Sequence, residues 1–216
     1  MSTRIVIIGA GGQGLVVADI LIAARMREPI EVVGLLDDDP TRTGQRVLGI
    51  PILGGIGSLP DVPHDAVVVA IGDNARREQI TRDLEYRGVR LHIARHPFTS
   101  FASDVAAGPG CMISAGAVVT PGARLGPGVI LNTRASVDHQ SVVAAFAHVS
   151  AGATVGADVS IGERTLIGLG ASVMSGRRIG ADTIVGAGAV VVHDLPDGVV
   201  AVGVPARILR RVGQAG

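Results

Sequence analysis

The stretch "ISAGAVVTPGARLGPGVILNTRASVDHQSVVAAFAHVSAGATVGADVSI", residues 113–161, decides the fold. Every sixth position in it is aliphatic, and the register continues past its end: Ile113, Val119, Leu125, Leu131, Val137, Val143, Val149, Val155, Ile161, Ile167, Val173, Ile179, Val185 and Val191. Two positions earlier a small residue usually stands, as at Ala117, Ala123, Ala135, Ser141, Ala147, Ala153, Thr165, Ala171, Thr183 and Ala189. The position after the aliphatic is often glycine, as at Gly126, Gly156, Gly162, Gly168, Gly180 and Gly186. A six-residue period belongs to a parallel β-helix. Each step is one short strand and a turn, and three steps close a triangular coil of eighteen residues that stacks only on its neighbours. The aliphatic points into the prism, the small residue fits near a corner, and glycine is expected to permit the tight turn.

The residues before this repeat follow a different pattern. "RIVII" (4–8) reads as a buried strand, "LVVADILIAARM" has helical spacing, and "EVVGLL" and "AVVVAIG" read as further strands. "NARREQITRDLEYRG" is an amphipathic helix ended by Gly88, and "VRLHIA" reads as a last strand. Strand and helix alternate, which predicts a small parallel α/β domain over residues 1–96 and a β-helix with a C-terminal cap over 97–216.

Composition narrows the chemistry. With 31 Gly, no Trp and four aromatics in 216 residues, the core must be built from Val, Ile, Leu and Ala. All 19 basic residues are Arg, which excludes a Schiff-base or P-loop lysine. Net charge is zero and the signs are mixed, so no nucleic-acid surface is expected. Cys111 is the lone cysteine, which removes a disulfide framework or cysteine zinc cluster and points to a reducing compartment. "MSTRIVIIGAGG" enters a strand directly and has no signal-peptide pattern; no apolar run is long enough for a membrane span. These features predict a cytoplasmic protein. No three-His constellation has metal-ligand spacing, so no catalytic metal is expected.

"GAGGQG" places Gly9, Gly11 and Gly14 as G-x-G-x-x-G between a strand and a helix, with Asp37 beyond it. Taken alone this reads as an NAD site. The domain is short, however, and leaves little space for both halves of a dinucleotide. Gly11, Gly12 and Gly14 would let a phosphate approach backbone N–H groups at a helix N-terminus, with Gln13 beside them. Asp37 and Asp38 end the second strand, where carboxylates can accept from ribose or base; Gly72, Asp73 and Asn74 end the next long strand on the same edge. Asp73 equally fits an N-cap.

The segments "GAGGQGLVVADI", "GLLDDD", "VAIGDN", "ILNTRASVDHQ", "AHVSAGATVG" and "VGVPARIL" span residues 5 to 209. Together they resemble the hexapeptide-repeat acyltransferases, in the branch that joins a Rossmann-like domain to a left-handed parallel β-helix. That branch comprises NeuD-like sialic acid O-acetyltransferases and PglD-like nucleotide-amino-sugar N-acetyltransferases. The resemblance implies acetyl-CoA as cosubstrate, a nucleotide sugar held by the small domain, and homotrimers with sites between subunits. It aligns His139 of "VDHQ" with the family's catalytic histidine, a general base, and implies CoA contacts near Leu169, Gly170 and Ala187. The family often has His at the position of Gln13.

Position within the repeat adds to this. His139 lies two residues after inward Val137 and so projects near a corner. His148 lies half a coil further and faces away; it reaches the same site only through a neighbouring subunit, where it would position substrate, or it packs at that interface. Ala157 should stack one coil from His139, with its N–H as oxyanion donor. Arg207, Arg210 or Arg211 would meet a CoA phosphate or form a solvated cap. Gln140 stands where the family has an acid; it can orient the imidazole through its carbonyl but brings no charge, which leaves Asp138 as the other carboxylate. Phe146 is expected at a trimer interface or against an acceptor sugar. N-acetylation of a nucleotide-linked 4-amino sugar is the leading expectation. Sialic acid O-acetylation, an NAD(P)-dependent oxidoreductase and a non-catalytic sugar-binding β-helix stay open.

Overall fold

The computed structural model describes residues 2–214. The chain forms two compact units, one ending at Pro97 and the other beginning at Phe98.

In the first unit, β1 (Thr3–Ile8), β2 (Ile30–Leu36), β3 (Arg46–Val47), β4 (Ile50–Gly54) and β5 (Ala66–Val69) form one sheet in the order β3-β4-β2-β1-β5. β1, β2, β4 and β5 are parallel. α1 (Gly12–Ala24) follows β1, and α2 (Asn74–Tyr86) follows β5. β1 carries Ile5, Val6, Ile7 and Ile8, all fully buried, as expected for a central strand covered on both faces. The strand order turns back between β1 and β5, so the chain ends that bind ligands in such sheets are those of β1, β2 and β5.

Two local expectations change. β3 and β4 form an antiparallel hairpin through Leu48 (φ 48) and Gly49 (φ +81), a turn hidden from the sequence because leucine seldom adopts positive φ. "VRLHIA" is not a full strand of this sheet. Its pairing with this sheet is a single parallel bridge from Leu91 to Val67, closed by Val67 N–H to Arg90 O (2.9 Å) and His92 N–H to Val67 O (2.8 Å).

The second unit is the left-handed parallel β-helix. Two-residue strands recur every six residues, and each pairs in parallel with the strand one coil on: Val118 with Ser136, Ser136 with Thr154, Thr154 with Ser172. All fourteen aliphatics from Ile113 to Val191 point inward and are at most 4% exposed. Burying each contributes about 1.5–3 kcal/mol relative to exposure. Small-residue slots hold polar groups only where the next coil satisfies them. Ser141 Oγ donates to Gly156 O (2.8 Å) and accepts from Val159 N–H (3.0 Å). Buried Cys111 donates from Sγ to Gly126 O (3.2 Å).

The turn glycines are a different set from those expected. The left-handed residues are Gly110, Gly116, Gly122, Gly128, Arg134, Gln140, Phe146, Gly152, Asp158, Arg164, Gly170, Gly176, Asp182 and Gly188, with φ between 54° and 76°. Gly126, Gly156 and Gly168 instead lie where the next coil comes closest. A Cβ on Gly126 would stand 2.6 Å from Ala145 N, and one on Gly168 would stand 2.7 Å from Ala187 N. They are small because backbone passes over them. Phe146 holds its left-handed corner (φ 58) with its ring over Gly128 and is 2% exposed within its own chain, so it faces neither an interface nor a ligand.

Candidate functional site

At the C-terminal edge of the first sheet, three strand ends supply loops. Gly9 (φ +102) ends β1, and Gly11 caps α1 without a side-chain bond. Space is open where a Cβ would sit on Gly11 and Gly12, so a ligand can come close to the backbone that opens α1. Gln13 follows within this first turn. Gly14 serves packing. A Cβ there would collide with Gly9 O, so this glycine lets α1 pack on the end of β1.

Asp37 braces the loop. Its Oδ2 accepts from Ala10 N–H (2.7 Å) and its Oδ1 from Asp39 N–H (3.0 Å). The residue expected to receive ribose hydroxyls is thus already used to shape the glycine turn, because Ala10 N–H needs an acceptor where β1 leaves the sheet. Asp38 accepts from Ile56 N–H (2.9 Å) and approaches Arg76 at 3.9 Å. Arg42, which the sequence did not single out, donates to Ala10 O (2.8 Å), so Asp37 and Arg42 hold both polar groups of that residue. At the end of β5, Asp73 is the N-cap of α2 and accepts from Arg76 N–H (2.7 Å), while Gly72 is open.

In the second unit, His139 stands exposed on the corner joining the strands Ser136–Val137 and Val142–Val143. Its backbone N–H donates to Asp138 Oδ1 (2.7 Å), and the Thr120 hydroxyl donates to the same oxygen (2.9 Å). The bond from the His139 backbone, and then the Thr120 hydroxyl, hold the Asp138 carboxyl below the usual carboxylate range. Asp138 is therefore ionised beside the imidazole at neutral pH. The sequence pattern does not single out Thr120; its one signal there is its place one coil before Asp138. Gln140 does not orient the imidazole. Its backbone is left-handed (φ 59), its Cγ folds over Gly122, and among the described residues no hydrogen bond joins it to His139. The carboxylate beside the histidine comes from the residue before it.

Ala157 stacks one coil from His139, but its N–H donates to Ser175 Oγ (3.1 Å). The expected free oxyanion donor is engaged by the corner residue of the following coil. His148 opens the strand His148–Val149 on another face of the prism, with Nε2 3.4 Å from Asn132 Nδ2. One chain does not bring His148 to His139. Leu169 and Ala187 share a third location, the corner column that also holds Ala151. Leu169 is 60% exposed, and the spaces above the left-handed Gly170 and Gly188 are open. A wall of this kind fits an apolar pantetheine arm. It too lies on a different corner from His139. Arg207 is exposed and donates to Ala206 O (3.0 Å), and Arg210 donates to Gln214 O (2.6 Å). Among the described residues no group of His, Cys, Asp and Glu could hold a metal ion, and no helix is long and apolar enough to cross a membrane.

Comparison with known proteins joins the two units. The family model of the PglD N-terminal domain matches residues 4–84. Perosamine N-acetyltransferase from Caulobacter crescentus, solved in complex with CoA and GDP-perosamine, is 40% identical over 95% of this chain and 96% of its own, with a TM-score of 0.89. The acetyltransferase domain of PglB from Neisseria gonorrhoeae, solved in complex with acetyl coenzyme A, is 36% identical over 97% and 100%, with a TM-score of 0.89. WeeI from Acinetobacter baumannii is 27% identical over 96% and 100%, with a TM-score of 0.82. A glycine turn on a parallel sheet, a histidine on a hexapeptide corner and near full-length likeness to these enzymes lead to one assignment: the chain belongs to the PglD-like branch of bacterial sugar acetyltransferases.

Proposed function

We propose that the protein transfers acetyl from acetyl-CoA to the amine of a nucleotide-linked amino sugar of the 4-amino-deoxy type, in the cytoplasm, as a step of bacterial glycan synthesis. The observation that carries this reading is the 40% identity, across both units, to an enzyme that acetylates GDP-perosamine. The small domain receives the nucleotide at Gly11, Gly12 and Gly72, where backbone is open. The amine attacks the thioester carbonyl carbon, the C–N bond forms, and the C–S bond breaks. His139 takes the proton lost by nitrogen and returns it to the CoA sulfur. Asp138 stabilises the imidazolium in between, fixed by Thr120. The residues assigned to CoA (Leu169, Gly170, Ala187) stand on another corner than His139, and His148 on a strand face away from it. A homotrimer would bring one subunit's wall to the next subunit's histidine and so complete the site.

The test is thiol release from acetyl-CoA with UDP-, GDP- and dTDP-linked 4-amino sugars and with free sialic acids. Release with one amino sugar, lowered about 10²–10⁴-fold by His139→Ala, is the expected result. Release only with a sialic acid transfers the protein to O-acetylation. Turnover that survives His139→Ala removes that residue from the chemistry.

A further inference from the structure

Helix α2 buries Arg77, Ile80, Thr81 and Leu84, one stripe at helical spacing. The first member of an otherwise core-facing stripe is thus an arginine, and it is 0% exposed. A guanidinium taken out of water is costly unless hydrogen bonds replace hydration. Arg77 obtains them from the β5–α2 turn: its Nη1 donates to Ile71 O (2.9 Å) and Gly72 O (3.2 Å), and its Nη2 donates to Asn74 Oδ1 (2.7 Å). Three acceptors of one short turn are drawn toward a single fork, whose planar, fixed donors hold them better than an ammonium would.

The consequence lies on the opposite side of the turn. In a trans peptide the carbonyl of one residue and the N–H of the next point in opposite directions. With the Ile71 and Gly72 carbonyls turned in to Arg77, the Gly72 and Asp73 N–H groups turn outward, past the C-terminal end of the sheet. Neither donates to another described residue. Space is open at Gly72, as it is at Gly11 and Gly12 beyond the neighbouring strand. Successive outward N–H groups form a concavity that accepts anionic oxygens, and the guanidinium beneath adds positive potential.

We infer that Arg77 is a positioning residue for the nucleotide part of the substrate: it never touches the ligand, but sets the Gly72 and Asp73 N–H groups as donors to the nucleotide diphosphate. This rests on the nucleotide-sugar reading above. The test is calorimetric titration of UDP, GDP and dTDP into wild type, Arg77→Met, Arg77→Lys and Asn74→Ala, with steady-state kinetics for both substrates. Wild type is expected to bind at least one diphosphate. Arg77→Met should weaken it about tenfold or more, and Arg77→Lys, which keeps the charge but not the fork, should recover only part. KM for the nucleotide sugar should rise about tenfold while KM for acetyl-CoA stays within about twofold, a split that general loss of folding would not produce. Asn74→Ala should weaken binding about threefold and decides the matter if the Arg77 variants do not fold. Unchanged diphosphate affinity in the folded variants overturns the role of Arg77 alone. Wild type that binds no diphosphate overturns the nucleotide reading and this inference with it.

Discussion

The two units hold their turns with a different balance of side chain and backbone. In the first, charged side chains reach into the backbone: Asp37 takes Ala10 N–H, Arg42 takes Ala10 O, Asp38 takes Ile56 N–H, and Arg77 gathers the 71–72 carbonyls. In the β-helix each corner rests chiefly on the backbone of the coil before it, and side chains such as Asp104, Ser175 and Asp197 each take only a single N–H. Gln140 N–H donates to Pro121 O, Asp158 N–H to His139 O, and Gly176 N–H to Ala157 O, corner upon corner. A corner fixed by main-chain bonds can carry almost any side chain. One column therefore runs Pro121, His139, Ala157, Ser175, and along it only Ser175 lends its side chain to the support, through Ala157 N–H. In the first unit the charged residues that look functional are largely the support.

This contrast can be broken at several places. His139→Ala should cost at least about a hundredfold in kcat/KM and leave the melting temperature unchanged; a parallel loss of Tm would mean that the corner depends on its side chain. The two glycine columns offer the next test. Gly168→Leu, placed under the Ala187 backbone, should destabilise by about 3 kcal/mol, whereas Gly152→Asn, at an open left-handed corner, should cost less than about 1 kcal/mol. Equal losses in urea denaturation would erase the distinction between close approach and turn. Asp37→Ala should cost about 1–2 kcal/mol by leaving Ala10 and Asp39 N–H groups without their acceptor, and should raise KM for the nucleotide sugar over that for acetyl-CoA. A KM change without a stability change would return Asp37 to direct ligand contact.

The smallest effect concerns pH. Asp65 accepts from Arg4 Nη2 (2.9 Å) and Arg4 N–H (2.8 Å), and these bonds lower its carboxyl to about 2. A depressed folded-state value means the pair stabilises above the ordinary carboxylate range and loses that contribution as pH falls through about 2. Asp65→Asn should lower Tm slightly at pH 7, with the difference from wild type closing toward pH 2. Because both side chains are solvent-exposed, the effect is small. A difference that persists at the lowest pH would show that the contribution is not ionic.

The six-residue register was legible because a stacked coil repeats one environment. Each inward aliphatic meets the same neighbours one coil away, so a one-dimensional period is enough to specify a three-dimensional core. The place of His139 on a corner followed from the same count, as did the stacking of Ala157 beside it. The alternation of strands and helices before residue 97 was readable for the usual reason, that each element leaves its own period in the hydrophobic pattern.

What the tertiary structure alone decided was the ownership of individual donors and acceptors. Asp37 read as a ribose acceptor, and the fold also gives it Ala10 N–H, 27 residues away, to hold. Ala157 could have offered a free N–H, but Ser175 stands over it. Gln140 could have met the imidazole, but its backbone is left-handed and its side chain folds over Gly122. Gly126 and Gly168 looked like turn residues, yet they are small because the next coil passes over them. The leucine turn of the hairpin and the buried arginine of α2 contradict local preference and are visible only in the fold. Period and composition are properties of the chain and survive in the sequence. A lone pair is filled by whichever group the fold brings within three ångströms, and that group is seldom a sequence neighbour.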